Sequence, residues 1–299
     1  MQQGVSVVVN PGAGVSPSDS YLDDLEIALK EADVNASVDI VRSGHDLDAI
    51  VQTAVGGDSQ IIVAVGGDGT VSAVAQAVLE NEKVLAIIPR GTLNHFAKDL
   101  GIPLDSVDAL TVIKNGIEKR VDVGEVNGRF FINNSSIGLY PRIVWKRERQ
   151  QRLGRGKWWS AAWATWQLFL LSPFSEVTLD VNGKVLRRKT PFVFIGNNEY
   201  EIDIYNIGRR IKLDTGCLSV YLMRRSGRMG LLLLVIHTLF GRLKELKDFE
   251  NFKTSHLSIV TRKTRTLVAI DGEVAVMETQ LEYRIHPKKL RVLVPRSED

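Results

Sequence analysis

The sequence predicts an α/β domain followed by a second domain that is an antiparallel β-sandwich. Over the first ~120 residues, short apolar runs alternate with helical patterns, which is the order typical of βαβ units and a parallel sheet. After about residue 122 the chain changes to short segments rich in branched and aromatic residues, several of them separated by Asn-Gly or Asp-Gly turns. Such segments are typical of a sandwich. We therefore place the domains at 1–122 and 123–286.

In the first domain, apolar runs predict four strands, and apolar residues at helical spacing predict the helices between them. The predicted strands are Val5–Val9, Val38–Val41, Ile61–Val65 and Val84–Ile88, and the predicted helices are Tyr21–Ala32, Leu47–Val55 and a helix whose apolar face begins at Val71. Pro and Gly residues follow three of the strands and predict loops there.

In the second domain, the predicted strands are short, and two helical insertions interrupt them. The strands are Phe130–Asn133, Val177–Val181, Phe192–Ile195, Leu218–Met223, Leu257–Val260, Leu267–Ile270 and Leu281–Ile285. The insertions are Trp158–Ser175 and Leu231–Phe240. The first contains polar residues and the second is about half the length that a bilayer requires, so we do not expect an integral membrane protein.

The composition excludes several classes of protein. An apolar fraction of 44% and a charged fraction of 24% are ordinary for a globular protein. The net charge of +3 gives no reason to expect a nucleic-acid partner. A single cysteine, Cys217, excludes an internal disulfide and fits a cytoplasmic location.

The most informative motif is Gly66-Gly67-Asp68-Gly69-Thr70, which lies between a predicted buried strand and an amphipathic helix. Glycine allows the backbone to approach a ligand closely, and a helix N-terminus offers free N–H groups and a positive dipole end to a phosphate. We expect Thr70 to cap the helix and Asp68 to hold Mg²⁺ or to take up a proton. The alternative is a tight turn followed by an ordinary helix cap.

Two companion loops follow neighbouring strands of the predicted sheet. Asn10-Pro11-Gly12-Ala13-Gly14 follows the first strand, and Arg90-Gly91-Thr92-Leu93-Asn94 follows the fourth. Loops at the carboxyl ends of strands line the ligand crevice of an open α/β sheet. Each loop alone is equally well explained as a common turn, but three such loops at one edge of the sheet indicate a phosphate site.

A fourth motif, Ile270-Asp271-Gly272-Glu273, lies far along the chain. Taken alone it is better explained as a hairpin turn, because Asp-Gly is a preferred dipeptide in two-residue turns.

Together these four motifs resemble those of the lipid kinase family that includes soluble bacterial diacylglycerol kinases, sphingosine kinases and ceramide kinases. The family pattern is an Asn-Pro loop, a Gly-Gly-Asp-Gly-Thr loop, a Gly-Thr-x-Asn loop and a late Asp-Gly-Glu, and all four occur here in this order. The run from Pro89 to Ala97 is especially specific. Asp122-Val123-Gly124 and the segment 133–138 also resemble the family's entry into its second domain.

The resemblance implies a nucleotide-binding α/β domain and a β-sandwich domain, with the active site in the cleft between them and the tail 287–299 returning to the first domain. It implies ATP as phosphate donor and Mg²⁺ as cofactor, with Asp68 organising the Mg-nucleotide and Glu273 as general base for a lipid hydroxyl. The implied nucleotide-binding residues are Asn10, Gly66, Gly67, Asp68, Gly69, Thr70, Val71, Ser72, Gly91, Thr92, Asn94 and His95.

The chain departs from the family pattern at several positions. Many members carry Asp where this chain has His95, and often Asn-Glu where it has Ser72-Ala73. The family's structural metal site uses an Asp-Asp-Gly-like turn, which here reads Asp214-Thr215-Gly216, so Asp214 is the remaining candidate ligand. The Thr of the family's second-strand motif has no clear counterpart around 42–44.

A basic, tryptophan-rich segment in the second domain predicts contact with a membrane. Seven basic residues and one acid lie between Arg142 and Lys157, and the five tryptophans of the chain all lie between Trp145 and Trp166. Basic residues beside tryptophans suit an anionic membrane surface. The alternative is a core helix preceded by a solvated basic loop.

The sequence therefore predicts a cytoplasmic, peripherally membrane-associated kinase of lipid metabolism that transfers the γ-phosphate of ATP to a diacylglycerol or sphingoid-type hydroxyl. An NAD kinase-like enzyme and a non-catalytic lipid- or nucleotide-binding protein are the alternatives. The identity of the acceptor is left open, and a homodimer is one of the oligomeric states that the sequence allows.

Overall fold

The structure is a computed structural model that describes residues 4–11, 25, 27, 29–30, 36–42, 46–142, 144, 175–181, 183–200, 210, 212–223 and 249–296. The chain divides into two compact units. Unit 1 comprises 1–123, 212–214 and 287–299, and unit 2 comprises 124–211 and 215–286.

Unit 1 contains a parallel sheet whose strands follow the order β2-β1-β3-β4. These strands are β1 (Val5–Val9), β2 (Ala36–Ile40), β3 (Ile61–Gly66) and β4 (Val84–Pro89). Strands β1, β3 and β4 are buried along their whole length, as expected for parallel strands covered on both faces. Beyond β4, the end of β16 (Leu281–Val294) adds a further parallel pairing through Arg291 and Val292.

Four helices of unit 1 have defined bounds: α1 (Leu47–Gly56), α2 (Asp68–Glu80), α3 (His95–Asp99) and α4 (Ser106–Asn115). Helix α2 buries one apolar face, which includes Val71, Val74 and Val78. Helix α4 begins after Asp105, whose carboxylate accepts hydrogen bonds from the N–H groups of Val107 and Asp108 at 2.9 and 3.2 Å. This is the usual N-cap arrangement, and it sets the start of α4.

Unit 2 contains two antiparallel layers. One is a six-stranded sheet in the order β12-β11-β10-β7-β14-β15, and the other pairs the first part of β16 with β13, β8 and β9. The strands not yet given are β5 (Ile117–Val126), β6 (Arg129–Phe131), β7 (Asn134–Gly138), β8 (Ser175–Val181), β9 (Lys184–Thr190), β10 (Phe192–Asn197), β11 (Leu218–Met223), β12 (Phe249–Thr254), β13 (His256–Thr261), β14 (Arg265–Ile270) and β15 (Glu273–Glu278).

The core of unit 2 is formed by side chains that alternate along these strands. Ile195, Val220 and Val268 from the six-stranded sheet belong to the same buried apolar cluster as Leu179 and Leu257 from the other layer. Residues at every second position of a strand lie on one face, so a cluster drawn from both layers is the core of a sandwich. The α/β domain and the separate β-sandwich domain predicted from the sequence are thus confirmed.

Several elements differ from the predicted ones. Helix α2 begins at Asp68, before Val71, and helix α4 and strands β5, β7, β9, β12 and β15 were not predicted. Strand β16 continues to Val294 instead of ending near Ile285. The first predicted insertion lies outside the described residues except for Ser175, which begins β8, and the second lies wholly outside them. Among the helices that the structure describes, none combines the length and apolar character needed to span a bilayer.

Candidate functional site

The three loops with glycine and asparagine follow β1, β3 and β4, which are adjacent in the sheet of unit 1. Because the strands are parallel, their carboxyl ends meet at one edge. Backbone hydrogen bonds connect the loops there: the Asn10 N–H donates to the Val65 carbonyl at 2.9 Å, and the Arg90 N–H donates to the Gly66 carbonyl at 2.8 Å. The beginning of each predicted loop therefore lies beside its neighbour.

The first loop is connected to the second through a side-chain hydrogen bond. Asn10 Nδ2 donates to Thr70 Oγ1 at 2.9 Å, and Thr70 is buried in the first turn of α2. A Cβ at Gly66 would lie 2.6 Å from Thr70 Oγ1, so a glycine there makes room for the threonine side chain.

The expectation that Thr70 caps α2 is wrong. The N-cap residue is Gly67, which offers no side-chain cap, and Thr70 lies within the helix because its hydroxyl accepts from Asn10 instead. The loop is therefore about one turn shorter than the motif suggested, and the helix starts at Asp68, directly after the second glycine.

The backbone of the third loop packs directly against the backbone of the second. A Cβ at Gly91 would lie 2.6 Å from Gly67 Cα and 2.8 Å from Asn94 Oδ1. Asn94 is buried, has a φ of 50°, and exchanges two hydrogen bonds with the Gly91 backbone, each of 2.8 Å. Asn94 thus closes the loop on itself and holds Gly91 against the start of α2.

Asp68 is the first residue of α2 and is half-buried. The first N–H groups of a helix have no acceptor within the helix and carry its positive dipole end. Val71 N–H already donates to the Gly67 carbonyl, so the open donors are those of the turn before it. Gly69 is exposed, and a Cβ there would meet nothing within 4 Å. This end of α2 can accept a phosphate, with Asp68 beside it as an oxygen ligand.

The remaining predicted nucleotide-binding residues lie around this helix start. Thr92 and His95 are exposed, Ser72 is half-buried and Val71 is buried in the apolar face of α2. His95 is the first residue of α3 and follows Asn94 directly. His95 therefore lies on the same loop that packs against Gly67.

No cluster of three acidic, histidine or cysteine side chains that could hold a metal ion occurs among the described residues. Asp214, the candidate ligand of a structural metal, is exposed in the short piece 212–214 that belongs to unit 1. A Mg²⁺ ion keeps several of its waters and is commonly held by one or two carboxylates together with substrate phosphates. The carboxylate of Asp68, at a helix end that can accept a phosphate, fits that donor set.

In unit 2, the Asp-Gly-Glu motif forms a two-residue hairpin between β14 and β15. Asp271 and Gly272 have φ values of 47° and 92°, which is the backbone of a type I′ turn. The hairpin interpretation is therefore correct for the backbone. The side chains of the turn have a further role.

The Asp271 carboxylate accepts three backbone N–H groups from one distant segment. Its oxygens accept from Ile132 at 2.9 Å, from Asn133 at 2.8 Å and from Asn134 at 3.0 Å. The Asp271 N–H donates in return to the Asn134 carbonyl at 2.9 Å. Hydrogen bonds to a charged acceptor are roughly twice as strong as neutral ones, so Asp271 holds the turn firmly to the beginning of β7.

The same segment is held from its carbonyl side by Arg210, a fully buried arginine. Its guanidinium donates to the Ile132 carbonyl at 2.6 Å and to Asn133 Oδ1 at 2.8 Å, and it lies over the Tyr200 ring at 5.4 Å. The peptide group between Ile132 and Asn133 thus lies between the Asp271 carboxylate, which accepts its N–H, and the Arg210 guanidinium, which donates to its carbonyl, and the two charges polarise it in the same direction.

Glu273 is the first residue of β15, next to this turn. Its side chain is 70% exposed, and its carboxylate lies 4.0 Å from the guanidinium of Arg129. The carboxylate is therefore accessible to a partner from outside unit 2. Asp68 belongs to unit 1 and Glu273 to unit 2, and their meeting stays a prediction.

The sequence analysis did not identify Asp271 as an acceptor or Arg210 as a buried cation. Arg210 follows Arg209, and two adjacent arginines are ordinarily read as solvent-facing. The signal that could have indicated this network is the pair of asparagine doublets, 133–134 and 197–198, beside apolar strands. Asn133, Asn197 and Asn198 are all buried, and buried amides need hydrogen-bond partners.

Comparison with known proteins supports the family resemblance. Residues 4–126 match the family model described as the diacylglycerol kinase catalytic domain. The diacylglycerol kinases of two Staphylococcus aureus strains, bovine RF122 / ET3-1 and MRSA252, are each 26% identical over 230 residues, which cover 76% of this chain and 72% of theirs. A crystal structure of a diacylglycerol kinase from Bacillus anthracis superposes with a TM-score of 0.69 at 20% identity, covering 98% of this chain and 97% of that one. A further structure from the same organism gives a TM-score of 0.74 at 22% identity with the same coverage.

Proposed function

We propose, from the premise that residues 4–126 belong to the diacylglycerol kinase catalytic domain family, that this chain is an ATP-dependent lipid kinase. In the reaction, the γ-phosphate of ATP passes to a hydroxyl group of a diacylglycerol or sphingoid-type lipid. The observation that carries the proposal is the junction of three loops at the start of α2, where Gly91 packs against Gly67 and Asn10 bonds Thr70. The proposed cofactor is Mg²⁺.

The start of α2 supports the binding of the triphosphate. Its open N–H groups and dipole favour anionic oxygens, and the third loop, which packs against Gly67, carries Thr92 and leads directly into His95. When bound, Mg²⁺ would supply positive charge against the charge that develops on the transferred phosphoryl group. Asp68 is the carboxylate of this edge that would hold the ion.

Glu273 is the proposed general base for the acceptor hydroxyl. It follows a turn whose backbone is held by Asp271, and its side chain is exposed. The backbone position of Glu273 is therefore fixed, while its carboxylate stays accessible to a substrate. A general base of this kind contributes roughly 10²–10⁴-fold to a rate. Positioning of the two substrates supplies most of the remainder in phosphoryl transfer.

The test is a transfer assay with radiolabelled ATP, a panel of lipids, and extraction of the products into chloroform. The wild-type chain should label a chloroform-soluble product. Glu273→Gln should lower that rate by about 10²–10⁴-fold with unchanged ATP affinity, and Asp68→Asn should abolish Mg²⁺-dependent transfer.

The matched control is Glu278→Gln. Glu278 ends the same strand and is 77% exposed beside Arg265, so this variant removes a comparable carboxylate away from the turn. It should transfer phosphate at the wild-type rate. Label that stays in the aqueous phase, or tight ATP binding without transfer to any lipid, would contradict the proposal.

A further inference from the structure

The turn Asp214-Thr215-Gly216, where the resemblance predicts a structural metal ion, forms a hydrogen-bonded corner. The N–H and the hydroxyl of Thr215 both donate to Asn198 Oδ1, at 3.0 and 2.5 Å. An amide oxygen has two lone pairs, so these two bonds occupy the side-chain oxygen of Asn198. Asp214 is the one acid of the turn, and it is exposed. A hard cation takes several oxygen ligands, with carboxylates prominent among them. The described residues of the turn therefore do not supply that donor set.

A chain of buried amides leads from this corner to the segment 132–134. Asn198 Nδ2 donates to Asn197 Oδ1 at 3.2 Å, and Asn197 Nδ2 donates to the Ile132 carbonyl at 2.8 Å. Both asparagines are fully buried. The corner is thus connected to the segment whose N–H groups donate to the Asp271 carboxylate.

Arg210 lies at the centre of this chain and is 1% exposed. One of its terminal nitrogens donates to the carbonyls of Ile132 and Asn197 at 2.6 and 3.2 Å, and the other donates to Asn133 Oδ1 at 2.8 Å. A guanidinium is always charged in a protein, and burying a charge is costly unless it is hydrogen-bonded. Arg210 thus brings oxygens from three residues together around one positive charge, as a structural metal ion would.

We propose that Arg210 is the structural cation of this part of unit 2, in place of a metal ion at the Asp214 turn, and that it positions Glu273. The segment 132–134 is held on its carbonyl side by Arg210 and on its N–H side by Asp271. Loss of the Arg210 charge would free the carbonyl side, and the turn that Asp271 holds to this segment would move with it. The role toward Glu273 rests on the proposed function, and the role as structural cation does not.

The first measurement is thermal unfolding of the wild-type chain without nucleotide, in EDTA and then with excess Mg²⁺ or Ca²⁺. The midpoint should agree within about 1 °C in the three conditions, because Arg210 is part of the chain and a chelator cannot remove it. A midpoint at least about 5 °C lower in EDTA, restored by either ion, would show a structural metal ion and overturn the proposal.

The second measurement is amide hydrogen exchange of the peptide 130–138, in two variants that each lose one guanidinium of unit 2. Arg210→Gln should speed the exchange of the amides of 132–134 by at least about tenfold, because the segment would open locally more often. The matched control is Arg188→Gln. Arg188 donates to both carboxylate oxygens of Glu250 at 2.9 Å, and its loss should lower stability without changing that exchange. Equal exchange rates in the two variants would overturn the proposal.

A conservative variant, Arg210→Lys, keeps the test decisive if Arg210→Gln does not fold. Lysine keeps the positive charge and three N–H donors but lacks the planar fork of arginine. The variant should fold, and the amides of 132–134 should exchange more slowly in it than in Arg210→Met, which has no charge. An Arg210→Lys chain that unfolds or exchanges as fast as Arg210→Met would overturn Arg210 as a structural cation.

Transfer kinetics test the role toward Glu273. Arg210→Gln should lower kcat by about 10²-fold with an unchanged KM for ATP, since a misplacement of about 1 Å can have that effect, and Arg210→Lys should recover part of the loss. Arg188→Gln should keep the wild-type kcat. An equal fall in kcat in the two glutamine variants would attribute the fall to lost stability and overturn the positioning role. A wild-type chain that transfers no phosphate but shows the predicted exchange would remove the proposed function and leave Arg210 as the structural cation.

Discussion

The loop cluster of unit 1 and the Asp271 turn of unit 2 use the backbone in opposite ways. In unit 1, close packing at Gly66 and Gly91 and short polar side chains hold the loops together, and the first N–H groups of α2 stay available to a ligand. In unit 2, the N–H groups of 132–134 are taken by the Asp271 carboxylate. The group that we propose for chemistry there is a side chain, that of Glu273, which is exposed.

The difference concerns which kind of substitution each region tolerates. A cluster of loops packed backbone against backbone fails when an added atom pushes the loops apart, so it is sensitive to small increases in side-chain volume. A turn held by a buried ionic network fails when one charge is removed, because the groups left behind stay buried without their partner. Each of the following predictions tests one side of this contrast.

Asp271→Asn should have the largest effect on stability. The amide keeps one acceptor oxygen, but its NH₂ group cannot accept, so the variant loses either the bond from Ile132 or the pair of bonds from Asn133 and Asn134. Because hydrogen bonds to charged groups contribute about 1.5–3 kcal/mol each, we expect a loss of about 3 kcal/mol in the free energy of unfolding. Denaturant unfolding measures this, and the rate of phosphate transfer should fall while ATP affinity stays unchanged.

The control for Asp271→Asn is Asp180→Asn. Asp180 also serves a hairpin in unit 2, but its carboxylate accepts a single exposed N–H, that of Gly183 at 2.9 Å. This variant should lose less than about 1 kcal/mol. If both variants lost the same free energy of unfolding, the three hydrogen bonds of Asp271 would stabilise the fold no more than the single bond of Asp180. The contrast between the two regions would then disappear.

Gly91→Ala should have the next largest effect, and it should act on ligand binding. The new methyl would lie 2.6 Å from Gly67 Cα, a backbone atom, so the third loop must move away from the start of α2. Overpacking of this kind costs about 1–3 kcal/mol, and we expect ATP affinity to fall by about 10–100-fold when measured by calorimetry.

Gly56→Ala provides the comparison for Gly91→Ala. It adds the same methyl at the end of α1, where nothing lies within 4 Å of the new atom. ATP affinity should be unchanged in this variant. A Gly91→Ala chain that binds ATP as tightly as the wild type would show that the loops need not touch for nucleotide binding.

Much of unit 1 could be predicted from the sequence because its signals are local. A five-residue run such as Val5–Val9, apolar except for Ser6, becomes a buried strand, and glycines after the strands become the loops. The predictions for unit 1 that were wrong concern contacts between residues far apart in the sequence. Thr70 follows a glycine and was predicted to cap the helix, but its hydroxyl accepts a hydrogen bond from Asn10, which lies sixty positions earlier.

Unit 2 was harder to predict for the same physical reason. The motif containing Asp271 was found, but the role of its carboxylate depends on a segment 137 to 139 positions away. Arg210 is buried among partners that lie far from it in the sequence, including the Asn133 side chain, the Ile132 carbonyl and the Tyr200 ring. Helix α4 and strand β9 were missed because Val107 and Val185 are exposed apolar residues, which blur the periodic pattern of their segments.

The smallest predicted effect concerns the hydrogen bond from Asn10 to Thr70, which connects the first two loops. A partly buried neutral bond contributes about 1 kcal/mol, so Asn10→Ala should weaken ATP binding by about fivefold. The double variant with Thr70→Val should weaken it little further than either change alone, because the two changes remove one interaction. Ser37→Ala is the control, since it deletes a similar side-chain bond of 3.1 Å, to Ser6, between β2 and β1; it should lower stability and leave ATP affinity intact. Additive losses in the double variant would mean that Asn10 and Thr70 contact the nucleotide independently, and the contrast with unit 2 would then rest on Gly91 alone.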